Sequence, residues 1–159
     1  MLTKRLQLVL QTREDTVARI EAMSPADKAQ VSADWLALLD ASPPSDPWIH
    51  GFSLVSRAAG EAIGMCGFKG PPSPEGMVEI AYGIHPAHQG KGYATEAADA
   101  LVRFAFGSPD VRVVRAHTLP AANASTRVLT KCGFRHVGEV IDPEDGLVWR
   151  WEKGRDAEP

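Results

Sequence analysis

Cysteine is scarce in this chain. Of 159 residues only Cys66 and Cys132 carry thiols. They lie far apart and make neither a C-x-x-C pair nor a zinc-ligand spacing, so neither a disulfide framework nor a cysteine metal site is expected. Two buried free thiols are the expectation. Long hydrophobic runs are missing too. The apolar start of "MLTKRLQLVL" is broken by Gln7 and lacks the apolar region and small-residue cleavage site of a signal peptide. Nothing approaches the ~20 apolar residues of a membrane helix. A cytoplasmic location and no membrane partner are therefore expected. Positive charge is not in excess either: 17 Lys and Arg face 20 Asp and Glu, a net charge of -3. That argues against a general nucleic-acid footprint, which needs a basic patch or stripe.

What is present suits one globular domain, expected over 1–159, with 44% hydrophobic and 23% charged residues. Leu6, Leu8 and Leu10 alternate with Gln7 and Val9, which predicts a first strand. Thr12 and Asp15 make a capping-box-like helix start. "SPAD" (Ser24 to Asp27) opens a second helix, with Val31, Trp35, Leu38 and Leu39 as its apolar stripe. "SPPSDP" breaks the pattern. Strands are then expected at about Trp48–Arg57 and Ala62–Gly67, joined by a turn at "AAGE". "MVEIAYGI" (Met77 to Ile84) is the strongest strand, with Val78, Ile80, Tyr82 and Ile84 on one face and Glu79, Ala81 and Gly83 on the other. A helix with Ala97, Ala98, Leu101, Val102 and Ala105 inward follows, with Asp99 and Arg103 paired outside. Another strand, a helix over "NASTRVLTKCGF" and a closing hairpin turning at Asp145-Gly146 complete the chain. The order is that of a mixed α+β domain.

Between the strongest strand and the helix after it lies "HPAHQGKGYATEA". Glycines allow positive φ and close backbone approach, and a helix start offers free amides and a partial positive charge. Together these make an anion site, although an ordinary strand-to-helix turn reads equally well from the loop alone. Lys91 followed by Gly92 does not fit a P-loop. Gly90, Gly92 and Thr95 miss the last glycine of a dinucleotide fingerprint.

Gln89, Gly92 and Ala94 do match Q/R-x-x-G-x-G/A. With "VEIAYGIHPAHQGKGYATEAADALVRFAF" around them and "RAHTLPAANASTRVLTKCGF" downstream, the chain resembles the GNAT acyltransferase superfamily, and within it the ribosomal-protein-acetyltransferase-like (Rim-like) branch. The resemblance covers about Val78–Phe134, is looser through Ile141 and weak before Trp48. It implies a three-layer fold. Its central, twisted, mostly antiparallel mixed sheet is splayed at a cofactor wedge, with helices on both faces. Acetyl-CoA is the implied cosubstrate, without metal. Its pyrophosphate would be held by backbone amides from His85 through Gln89, Gly90, Lys91, Gly92, Tyr93 and Ala94 to Thr95. Its pantetheine arm would run along Tyr82, Gly83 and Ile84. A homodimer is compatible with the family.

Acetylating an amine requires removing its proton, holding two reactants together and stabilising an oxyanion. Glu79 is the expected general base. A solvent-exposed or ion-paired strand glutamate is the alternative. His117, on the next strand, could relay a proton or simply be structural. His85 and His88 flank the loop as positional residues. Two positions depart from the family pattern. Leu129 stands where many relatives carry a tyrosine acid. Ala122 stands where the branch often has a cofactor-contacting asparagine, so Asn123 either takes that contact or caps the helix. The acceptor is expected to be a protein N-terminal α-amine or a small-molecule amine. The acidic residues Glu14, Asp15, Glu21, Asp27 and Asp34 leave a cationic acceptor open. A non-catalytic acyl-CoA sensor on the same fold, or an unrelated phosphate-binding module, are the alternatives.

Overall fold

A computed structural model describes residues 1–31, 33, 36–37, 46–143 and 145–155. Strand β1 (Leu6–Leu10) buries Leu6 and Leu8 and exposes Gln7 and Val9, as its alternation predicts. Helix α1 (Arg13–Glu21) starts at Thr12, whose hydroxyl accepts from the Asp15 amide while the Asp15 carboxylate accepts from the Thr12 amide. Helix α2 (Pro25–Lys28) is capped by Ser24. Its expected stripe at Trp35, Leu38 and Leu39, and Asp34, lie outside the described residues.

One element differs from expectation. The strand expected from Trp48 begins only at Phe52, because a short helix, α3 (Pro47–His50), precedes it. Asp46 Oδ1 accepts from the Trp48 amide at 2.8 Å. Pro47 holds the first turn, and Gly51, at φ +75°, ends the helix in a conformation few side chains tolerate. These local capping signals override the strand-like look of "WIHGFSLV".

The remaining elements are β2 (Phe52–Ser56), β3 (Ala62–Phe68), β4 (Met77–Ile84), α4 (Tyr93–Phe106), β5 (Val113–Thr118), α5 (Ala124–Lys131), β6 (Arg135–Asp142) and β7 (Gly146–Gly154). Seven strands form one open sheet in the order β1-β2-β3-β4-β5-β7-β6. All neighbours run antiparallel except β4 and β5. Those two pair at three positions, Met77 to Glu79 against Val113 to Arg115, and then part. The split leaves the second half of β4 facing open space instead of a neighbouring strand.

One sheet face carries the core. Leu6, Leu8, Leu54, Val78 and Ile80 pack with Ala97, Ala98 and Leu101 of α4, all buried. Phe104 closes this layer against Trp48, Phe52 and Phe68 at ring separations of 5.4, 6.0 and 5.7 Å. Each fully buried large aliphatic side chain here contributes roughly 1.5–3 kcal/mol. The opposite face bears α1, anchored by Thr16 Oγ1 against His50 Nδ1 at 3.2 Å and by Arg19 against Met65.

Candidate active site

The loop after β4 is shaped by Gly90 (φ +77°) and Gly92 (φ +85°), both left-handed. Gly92 occupies the N-cap position of α4 with no side-chain cap, and the first bond of the helix is Glu96 N–H to Gly92 O at 3.2 Å. The amides of the first turn therefore have no intrahelical carbonyl to bond. Gln89 Nε2 donates to Ile84 O at 2.9 Å and ties the loop back to the strand end.

These parts border a groove of about 500 Å³. Tyr82, Gly83, Ile84, Gln89, Gly90, Gly92, Tyr93, Ala94 and Thr95 line it, nine of the residues singled out from the sequence. His85 and Lys91 are exposed beside it. Asn123 caps α5, its Oδ1 accepting from the Thr126 amide at 3.0 Å, and the next residues, Ala124 and Ser125, form the far wall. Arg127 and Lys131, one helical turn apart on α5, also line the groove, as does His88. The groove thus pairs an amide-rich helix start with basic side chains, the chemistry that holds phosphate oxygens.

Where β4 and β5 part, a smaller cavity of about 110 Å³ adjoins the groove, and Tyr82 and Ser125 line both. Glu79 lines this cavity. Its Oε2 receives Lys69 Nζ at 3.0 Å and His117 Nδ1 at 3.0 Å. The His117 side chain is only 5% exposed, and its Nε2 meets Arg150 Nε at 3.1 Å. A guanidinium only donates, so Nε2 accepts and the ring proton sits on Nδ1, donated to Glu79. Asp142 Oδ1 lies 3.9 Å from the same Nδ1. Burial works against the charge on Lys69, but Glu79 and Asp145, the latter at 3.4 Å, outweigh it and hold its pKa above the ordinary lysine value. Among the described residues no donor reaches Glu79 Oε1.

Burial pushes the Tyr82 phenol up to about 12, with a hydrogen bond to Ser125 opposing and nearby Cys132 adding to the shift. Tyr82 is therefore a protonated donor at neutral pH. Leu129 is fully buried in the core and has no access to the cavity. Lys69, Arg150 and Ser125 were not singled out from sequence as parts of a site. Lys69 reaches Glu79 from the end of β3, and Arg150 reaches His117 because β7 pairs with β5.

The family profile for the acetyltransferase (GNAT) domain matches residues 4–135. The chain belongs to the GNAT acetyltransferase family. It is similar to the N-acetyltransferase p20 of Bacillus licheniformis, 32% identical over 93 residues, which cover 58% of this chain and 52% of that protein. The chain spans about half the length of the curated relatives it matches. Among solved structures its fold is similar to that of the ribosomal-protein-S5-alanine acetyltransferase from Vibrio fischeri (TM-score 0.70, 17% identity, 100% of this chain and 98% of that one). It is also similar to the aminoglycoside acetyltransferase AAC(6')-Ib in complex with coenzyme A (TM-score 0.64, 20% identity, 94% and 95% covered). The GNAT fold expected from the sequence, including a mixed sheet split beside the glycine loop, is the one observed.

Proposed function

We propose that the chain transfers an acetyl group from acetyl-CoA to a primary amine. The observation that carries this reading is the adjacency of the two cavities. The groove suited to a pyrophosphate and its extended arm shares Tyr82 and Ser125 with the cavity holding Glu79. Donor and base are then on opposite sides of one split in the sheet.

The amides from Gly90 to Thr95 would take the pyrophosphate, with Arg127 and Lys131 adding charge, and the strand edge at Tyr82 to Ile84 would hold the arm. His85, Lys91 and the Asn123 amide nitrogen would add further contacts. Glu79 Oε1 would accept the amine proton, directly or through one water, while Lys69 and His117 fix the other oxygen and so the orientation of the carboxylate. The Tyr82–Ser125 hydroxyl pair supplies the donor for the leaving thiolate that Leu129 cannot provide. No metal is required for any of these steps.

Glu79→Gln tests the reading. Binding of acetyl-CoA should persist while turnover, followed by thiol release, falls roughly 10²–10⁴-fold, the usual contribution of a positioned acid or base. Unchanged turnover would remove Glu79 from the chemistry. A chain that binds acetyl-CoA yet acetylates no amine in a broad panel would be a sensor instead.

A further inference from the structure

A second groove, of about 310 Å³, lies on the sheet face opposite α4. Its floor is set by the register of β3 and β4. Met65 stands opposite Gly83 and Gly67 opposite Ala81. Lys69 N–H donates to Glu79 O at 2.9 Å and continues the ladder. Side chains two apart share a face. Lys69 with Glu79, Gly67 with Ala81, and Met65 with Gly83 are thus successive rungs of one surface. The ion pair lies at one end of it, and the space over Ala81 and Gly83 is open: a Cβ added at Gly83 would meet nothing within 4 Å. The groove reaches Tyr82, which also borders the cofactor groove and the Glu79 cavity. An acceptor lying here would sit beside the strand that borders both the donor groove and the Glu79 cavity.

The charge of this groove is the informative part. Ile49 and Met65 make its walls apolar, and Arg19 of α1 is the cation that lines it. Arg19 is half buried. Its Nη1 donates to Gln11 Oε1 at 2.7 Å and lies 3.6 Å from Met65 Sδ. Among the described residues neither Nε nor Nη2 has an acceptor. Asp15, one turn back, directs its carboxylate to the Thr12 amide and acts on Arg19 as a nearby charge rather than as a hydrogen-bond acceptor. Glu14, Asp15, Glu21 and Asp27 are all exposed, and none of them lines the groove. A partly desolvated guanidinium with spare donors is matched by a carboxylate, which accepts two parallel N–H bonds. The cationic acceptor left open by the acidic helices therefore finds its like charge here.

We propose that the acceptor amine also carries a carboxylate, which Arg19 binds while the amine lies toward Glu79. This inference rests on the acetyl-transfer reading and narrows its substrate class to amino acids in the broad sense, α or ω.

The test uses matched pairs: leucine with leucinamide, and 4-aminobutyrate with 4-aminobutanamide. kcat/KM is measured for each on the full chain and on Arg19→Met. Comparing the acid-to-amide ratio between the two proteins cancels the intrinsic reactivity of the amines. The ratio should fall about 10- to 100-fold in Arg19→Met for at least one pair, the range of a hydrogen bond to a charged group. Arg19→Lys, which keeps the charge but loses the fork, should fall between the two and serves if the methionine variant does not fold. A ratio that is the same in wild type and variants for both pairs would overturn the proposal and leave acetyl transfer standing. Carboxylates that bind by calorimetry in an Arg19-dependent way, with no amine ever acetylated, would do the reverse.

Discussion

At the scale of single residues, the contact between Arg5 and Glu96 shows how the loop is held. Glu96 lies in the first turn of α4, where its charge suits the helix dipole. It accepts from Thr3 Oγ1 at 2.8 Å, from the Arg5 amide at 3.0 Å and from Arg5 Nε. Arg5 in turn lies 4.4 Å over the Tyr93 ring, and its Nη2 sits 3.1 Å from where a Cβ on Gly92 would be. Burial works against the Glu96 charge, but the bonds from Thr3 and Arg5 outweigh it and hold the pKa below the ordinary value. The stabilisation is therefore complete above the ordinary carboxyl pKa, near 4.3, and is lost as pH falls through the lower folded value. Glu96→Gln should cost about 1–3 kcal/mol at pH 7. Denaturant melts of wild type and variant should converge as pH falls well below the ordinary carboxyl value. Curves that stay parallel to that point would show that the charge on Glu96 is immaterial.

At the scale of elements, α5 links local chemistry to the groove. Asn123 and Thr126 form a reciprocal cap, and Gly133, at φ +85°, ends the helix region. Asn123→Ala should destabilise the protein by about 1 kcal/mol through the lost cap. Titration with CoA, compared with wild type, then shows whether the Asn123 amide nitrogen also touches the ligand: a weaker Kd beyond the folding effect supports that contact, and an unchanged one leaves only the cap. Much of this architecture was legible in the sequence because its signals are local. Thr12 with Asp15, Asn123 before a helix, and the glycines after β4 each act within a few residues. Glu79 was legible by its face on β4. Its neighbours were legible only in part: His117 stood as a candidate relay on the next strand, but Lys69 reaches Glu79 across the β3–β4 ladder, and Arg150, on a strand inserted between β5 and β6, reaches His117. Such proximity comes from sheet order, and no spacing within the chain encodes it. The α3 helix was missed for the opposite reason: Asp46, Pro47 and Gly51 carried a local signal that the apolar residues between them masked.

At the scale of the whole molecule, the split between β4 and β5 is the feature on which the proposed function depends. In an unbroken sheet each strand amide has a partner on one side or the other. Beyond Glu79, β4 keeps β3 on one side and has an opening on the other. Hydrogen exchange should therefore be faster at the β4 amides that face the opening than in Leu54 or Val114, which lie in paired strands. Adding CoA should slow exchange at residues 82–84 and 90–95 and leave β1 and β2 unaffected. Protection spread evenly over the sheet would mean that binding rigidifies the fold as a whole rather than filling the split.

The two sides of the split also differ in when their residues are made. The described lining of the donor groove is complete once Lys131 has been synthesised. His117, which bonds Glu79, meets Arg150 from the strand that must insert between β5 and β6. On the ribosome the groove can thus form before the last hairpin orders His117 beside Glu79. If the groove holds acetyl-CoA and Glu79 is the base, as proposed, a nascent chain would hold its cosubstrate before it could use it, and catalytic competence would report that the last hairpin has docked.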